Sequence, residues 1–152
     1  MIVKADVSEA DQLTEIALKS KAFWGYSDEI IESWREDLTI TAKMFDDSNI
    51  YKYLVDDEIA GFYILERVNI RTSILHFLFI SPQFIKQGIG KQLLDHAIAY
   101  CIEGSSAILN VLSDPNAEAF YAKHGFKVIA RRESAIVGRF LPEMELEFPE
   151  NM

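Results

Sequence analysis

Only one cysteine, four prolines and seven glycines occur in the 152 residues. The lone Cys101 excludes an intramolecular disulfide and a cysteine-rich zinc site, and fits a reducing, cytoplasmic setting. The few prolines and glycines form no linker or low-complexity tract and no repeat is visible, so one domain over residues 1–152 is expected. Long hydrophobic runs are missing too. The longest, Ile74 to Ile80, is interrupted by His76 and is far too short to cross a bilayer, so no membrane partner is expected. Met1-Ile2-Val3-Lys4-Ala5-Asp6 carries charges where a signal peptide needs an apolar core. Positive charge is scarce: 15 Lys plus Arg stand against 24 Asp plus Glu, a net charge of −9. That disfavours nucleic acid, while a local basic patch still suits a small phosphate. What is present is globular in composition, 49% hydrophobic and 26% charged, and enough for a sizeable core.

The patterning predicts alternating strands and helices. Ile2–Val7 reads as a short strand. Ser8 reads as an N-cap, with Asp11 in the first turn of a helix that places Leu13, Ile16 and Ala17 on one face. An aromatic loop, Phe23-Trp24-Gly25-Tyr26, leads to a helix capped by Ser27. Strands are expected at Ile50–Val55, Ile59–Val68 and Ser73–Ile80. The third is apolar on both faces and therefore central. Gly88–Glu103 has helical periodicity, with Gly104 in the left-handed position that ends it. A strand at Ala107–Leu112, a short helix ending near His124 and strands at Phe126–Ala130 and Leu141–Phe148 complete an α+β order around a mixed sheet.

Between the central strand and the long helix lies Ile80-Ser81-Pro82-Gln83-Phe84-Ile85-Lys86-Gln87-Gly88-Ile89-Gly90-Lys91. Gly88 and Gly90 remove side chains where backbone amides would approach a ligand, and a helix N-terminus supplies free N–H groups and partial positive charge for a phosphate. Lys86 and Lys91 add charge. The alternative is a plain strand-to-helix turn. The segment lacks the Gly-Lys-Ser/Thr of a Walker loop and the three-glycine spacing of a dinucleotide fingerprint.

A strand, a proline, then Gly-x-Gly opening a helix resembles the GNAT superfamily of acyl-CoA-dependent N-acetyltransferases. Its Gln/Arg-x-x-Gly-x-Gly/Ala motif falls on Ile85 to Gly90, with Ile85 at the Gln/Arg position. Ala117-Glu118-Ala119-Phe120-Tyr121-Ala122-Lys123-His124-Gly125-Phe126 is similar to the family's late A-x-x-F-Y-x-x-x-G-F segment, one strand further on. The resemblance implies a GNAT fold: a mixed, mostly antiparallel sheet of about seven strands, flanked by about four helices. It implies a splay between Ser73–Ile80 and Ala107–Leu112 that holds acetyl-CoA, with no metal. It assigns cofactor binding to Leu78, Phe79, Ile80, Lys86, Gln87, Gly88, Ile89, Gly90, Lys91, Asn116 and Tyr121. Leu78, Phe79 and Ile80 would pair through their backbone with the pantetheine arm. Asp114 stands where many relatives carry Asn, and Asn116 is its nearby substitute.

By the same resemblance Tyr121 is the general acid toward the departing CoA thiolate, the alternative being a core tyrosine beside Phe120. Many relatives place a Glu on the central strand where Ile74 stands. His76, two residues on, faces the same way because strand side chains alternate. Histidine suits proton transfer near neutrality, so His76 is the candidate base, with Glu66 as a carboxylate relay and core packing as the alternative. Trp24 and Tyr26 are candidate walls for a cationic acceptor, or packing groups. Arg131, Arg132 and Arg139 would admit an anionic part on the acceptor. Glu143, Glu145 and Glu147 alternate along the last strand and read as a solvated face. The expected function is acetyl transfer from acetyl-CoA to a primary amine, favouring a small molecule. The alternatives are a peptide or protein amine, or a non-catalytic acyl-CoA-binding module suggested by Ile74 and Ile85. A homodimer is compatible with the family.

Overall fold

The computed structural model describes residues 1–134, 136 and 138–149. In chain order the elements are β1 (Ile2–Lys4), α1 (Ala10–Phe23), α2 (Asp28–Ser33), α3 (Arg35–Leu38), α4 (Ala42–Asp47), β2 (Asn49–Val55), β3 (Glu58–Arg67) and β4 (Thr72–Ile80), then α5 (Ile89–Glu103), β5 (Ile108–Leu112), α6 (Glu118–Lys123), β6 (Lys127–Glu133) and β7 (Phe140–Glu147). The strands form a seven-stranded mixed sheet in the order β1-β2-β3-β4-β5-β7-β6, which makes β4 central as expected. The short α3 and α4 add to the four helices anticipated from the sequence. The chain clusters into two compact units.

The first unit comprises Met1–Leu65 and Phe77–Ala97. Its core is Leu13, Ile16, Ala17, Leu18, Leu38, Ile40, Ile50, Phe62 and Ile64, so α1 buries the face its periodicity defines. The helix start differs from the sequence reading. Asp6, not Ser8, is the cap: its side chain accepts from the Ser8 amide at 3.0 Å, and Glu9 accepts from the Asp6 amide at 2.7 Å. This reciprocal box opens a 3-10 turn over Val7–Glu9, and α1 follows from Ala10. Ser27 caps α2 as expected, accepting from the Ile30 amide at 3.2 Å. Asp56 and Asp57, at φ 49° and 67°, make the tight turn from β2 to β3.

The second unit comprises Glu66–His76 and the described residues from Ile98 onward. In it β4 and β5 run parallel, from Thr72 opposite Ile108 to Leu75 opposite Val111, and β4 continues to Ile80 beyond that register. β5 pairs antiparallel with β7, and β7 with β6 across a bulge between Val128 and Ala130. Leu75, Leu109, Val111, Tyr121, Phe126 and Met144 are buried on one face. The end of α5 corrects another expectation. Ser105, at φ 62°, holds the left-handed position assigned to Gly104. Its amide bonds the Ile102 carbonyl at 3.0 Å, and the Ser106 amide bonds that of Cys101 at 2.9 Å, which is a Schellman end. A Cβ on Gly104 would sit 2.8 Å from Arg67 Nη1, the mobile tip of a long side chain that can shift aside.

Candidate active site

Strand alternation puts Ser73 and Leu75 of β4, Leu109 and Val111 of β5, and Met144 of β7 into the core. The alternate positions, Ile74, His76, Asn110, Leu112 and Glu143, then share the other face. With Leu75 and Arg132 they line a cavity of about 550 Å³, in the range of small-molecule sites. His76 Nε2 lies 2.7 Å from Glu66 Oε1. An ionised carboxylate only accepts, so Nε2 donates and Nδ1 is left as the lone-pair nitrogen. The two side chains are 39% and 35% exposed, which rules out the core-packing alternative for His76.

The far side of the cavity was not anticipated. Glu143 is only 18% exposed. Its Oε2 accepts from Asn110 Nδ2 at 2.9 Å and its Oε1 from Arg132 Nε at 2.8 Å. Asn110 Nδ2 also reaches Glu145 Oε2 at 3.3 Å. The Asn110 bond, then Arg132, hold the Glu143 carboxyl below the usual carboxylate range. Glu143 and Glu145 are therefore half-buried members of a network rather than a solvated face, while Glu147 is exposed. The alternation of Glu143, Glu145 and Glu147 showed which residues share a face. It carried no information that Asn110, on the paired β5, would face them.

Tyr121 on α6 is 5% exposed, its ring edge-on to Phe120 at 5.2 Å and to Phe126 at 5.3 Å. Burial pushes its phenol well above the ordinary tyrosine value, so the group stays protonated. Asp114 and Asn116 are engaged with each other before α6. The Asp114 carboxylate accepts from the Asn116 amide at 2.8 Å and from Asn116 Nδ2 at 2.9 Å. Arg139 Nη2 donates to Asp114 at 3.0 Å, and Arg131 pairs with both oxygens of Glu118 at 3.0 and 3.1 Å. All three arginines considered for an anionic acceptor thus face carboxylates.

In the first unit, Ser81 donates its amide to Ala60 at 2.8 Å as β4 ends, and Pro82–Phe84 makes one 3-10 turn. Lys86 and Gly88 take φ 68° and 77°, and α5 begins at Ile89. A Cβ on Gly88 would meet no atom within 4 Å, so its glycine is required by backbone conformation. The first helical bond from this turn is Gln92 N to Gly88 O, which leaves the Ile89, Gly90 and Lys91 amides at the helix start. Lys91 pairs with Asp95 at 2.9 Å. On β4, Leu78, Phe79 and Ile80 are half-buried, and the Phe79 ring packs on Phe62 and Phe77. Tyr26 sits edge-on to Trp34 at 4.8 Å, over which Lys21 Nζ lies at 5.3 Å, whereas Trp24 is 49% exposed against Phe23. Tyr26 therefore fastens its loop, and Trp24 keeps an open ring. No group of metal-ligating side chains occurs among the described residues, and no described helix is long and apolar enough to cross a membrane.

Residues 12–148 match the family model for the acetyltransferase (GNAT) domain. The chain belongs to the GNAT acetyltransferase family, as the Gly88–Gly90 and Phe120–Phe126 segments indicated. It is 34% identical over 95 residues to the peptidyl-lysine N-acetyltransferase YjaB of Salmonella typhimurium, a match that spans 61% of this chain and 59% of that protein. Its fold is that of the PaiA N-acetyltransferase of Thermoplasma acidophilum, solved with coenzyme A. That likeness has a TM-score of 0.79 and 23% identity, covering 97% of this chain and 98% of the other. The ribosomal-protein-S18-alanine N-acetyltransferase of Escherichia coli shares it too, with a TM-score of 0.75 and 20% identity, covering 100% and 96%.

Proposed function

We propose that this chain, acting as one catalytic domain, transfers the acetyl group of acetyl-CoA to a primary amine held in the cavity beside His76. The observation that carries this reading is the Glu66–His76 pair on the cavity face. The pyrophosphate of acetyl-CoA binds the amides of Gln87, Gly88, Ile89, Gly90 and Lys91 at the start of α5, with Lys86 adding charge. The backbone of Leu78–Ile80 holds the pantetheine arm, and Asn116 contributes a polar contact. No metal takes part.

An amine arrives as an ammonium ion and cannot attack until it loses a proton. His76 Nδ1 takes that proton, and the donation from Nε2 to Glu66 stabilises the imidazolium formed. The neutral nitrogen attacks the thioester carbonyl. The tetrahedral intermediate collapses by breaking the C–S bond, Tyr121 gives its proton to the departing thiolate, and the nitrogen sheds its remaining extra proton, which restores the phenol and leaves a neutral amide. Trp24 and Tyr26 contribute to the acceptor side, and the cavity volume favours a small molecule. A second reading, acetylation of a lysine side chain in a peptide, is favoured by the YjaB relative. CoA release measured over a panel of small amines and lysine peptides tests both. Turnover of small amines is expected. Turnover of peptides alone selects the second reading, and none at all with bound acetyl-CoA indicates a binding module.

A further inference from the structure

The cavity is lined by His76 of β4, which is paired with Glu66, and by Glu143 of β7, two strands away across β5, with Ile74 and Leu112 lining the space as well. The reacting nitrogen must become neutral beside His76. A carboxylate in direct contact with that nitrogen would oppose this by stabilising its ammonium form, whereas Glu66 is engaged behind His76 by the bond from Nε2. Glu143 is therefore suited to a nitrogen that keeps its proton throughout the reaction, not to the one that is acetylated.

The hydrogen-bond inventory agrees. Glu143 Oε1 is held by both Nε and Nη2 of Arg132, at 2.8 and 2.7 Å, while Oε2 accepts from Asn110 and can accept again. Both bonds donated by Asn110 Nδ2 go to carboxylates, those of Glu143 and Glu145, leaving the amide oxygen as a further acceptor. Among the described residues Arg132 is the one lysine or arginine lining the cavity and it is already paired with Glu143, while Glu66 beside His76 and Glu145 beside Asn110 add negative charge. A ligand group rich in N–H donors and positively charged fits beside Glu143, and an anion does not.

We infer that Glu143 is a specificity-determining residue that selects acceptors carrying a second ammonium group joined to the reacting amine by an apolar chain. The inference rests on the proposed use of the cavity by an acceptor amine. Linear α,ω-diaminoalkanes are the matching probes, with 1-aminoalkanes of equal length as controls.

Binding of both series to the full chain is measured by calorimetry, and CoA release is followed in parallel. At least one diamine is expected to bind about tenfold or more tightly than its monoamine counterpart, the scale of one charge-assisted contact. Glu143→Gln, nearly the same shape, should erase that preference. Arg132→Gln, which removes the competing cation, should enlarge it, and this second variant carries the test if the first does not fold. Equal binding of the two series by the unmodified chain, or a preference that survives Glu143→Gln, overturns the inference. Turnover of monoamines and diamines alike also overturns it and leaves the acetyltransferase reading standing. A Glu143-dependent diamine preference without CoA release supports the inference and sinks that reading.

Discussion

At the scale of single residues, His76 and Tyr121 are given opposite tasks, and their surroundings differ accordingly. His76 is part-exposed, bonded to Glu66 through Nε2, and keeps Nδ1 for proton transfer. His76→Gln keeps an amide able to bond Glu66 but no group that titrates. Turnover should fall by about 10²–10⁴-fold, with the acid limb of the pH–rate profile lost. Steady-state rates across pH check this, and an unchanged profile would reduce His76 to a surface residue. Tyr121 is buried among Phe120 and Phe126, and its phenol is pushed upward. The shift keeps the proton in place but makes the phenol a weaker acid than an alkyl thiol, so its transfer to the thiolate must be coupled to the proton that the nitrogen sheds. Tyr121→Phe should keep CoA affinity and lower kcat by at least about tenfold. If affinity falls while kcat is kept, the hydroxyl is a binding contact.

At the scale of elements, two glycines serve different ends. Gly61 lies in β3 where a Cβ would stand 2.7 Å from the Phe79 carbonyl oxygen and 2.8 Å from Ile80 Cδ1. A backbone oxygen cannot swing aside, so Gly61→Ala must part the strand from Phe79 or strain it. A loss of about 1–3 kcal/mol is expected, seen in urea as a lower midpoint at unchanged slope. Gly88 has room for a side chain but not the φ for one. Gly88→Val should therefore distort the start of α5 and weaken CoA binding at least about tenfold in calorimetry, the scale of one or two charge-assisted bonds. Unaltered affinity in the folded variant would detach the cofactor from this turn. The elements also show where the sequence was readable. Periodicity located α1 and α5, because each buries one stripe of Leu, Ile and Ala against a sheet. Local chemistry decided the ends, and there Asp6 with Glu9 outcompetes Ser8, and Ser105 takes the turn that glycine would favour. The helices α3 and α4 are too short for a period to be seen. Tyr121 became a candidate through the resemblance carried by Ala117–Phe126, and His76 through the period-two alternation that sets it on the same face as Ile74, where many relatives carry Glu. The Asn110–Glu143–Arg132 network was not legible, because it joins three strands whose pairing no local pattern states.

At the scale of the whole molecule, the chain carries a net charge of −9 and one cysteine, and together these set its response to alkali. Cys101 is 1% exposed on α5. Burial pushes its thiol up, opposed by hydrogen bonds involving Ser73 and Ser106 and by the charge of Arg67. Ser73 and Ser106 are themselves joined at 2.9 Å, and burial of the thiol beside them outweighs their help to a thiolate. A free cysteine ionises near pH 8.5. Above that value the unfolded chain sheds the proton while the folded chain keeps it. The folded state then binds more protons, and stability falls as pH rises, with a slope of up to about 1.4 kcal/mol per pH unit from this one group. The contribution is fully present below the unfolded value and is lost as pH climbs toward the folded one. Growing negative charge adds a second decline, but one shared by any variant of similar charge. Cys101→Ala removes the thiol alone. Its unfolding free energy, measured in urea from pH 7.5 to 9.5, should start lower because the core loses an atom, and then decline less steeply than that of the unmodified chain. Parallel declines would mean that the thiol ionises as readily in the folded protein as in the unfolded one.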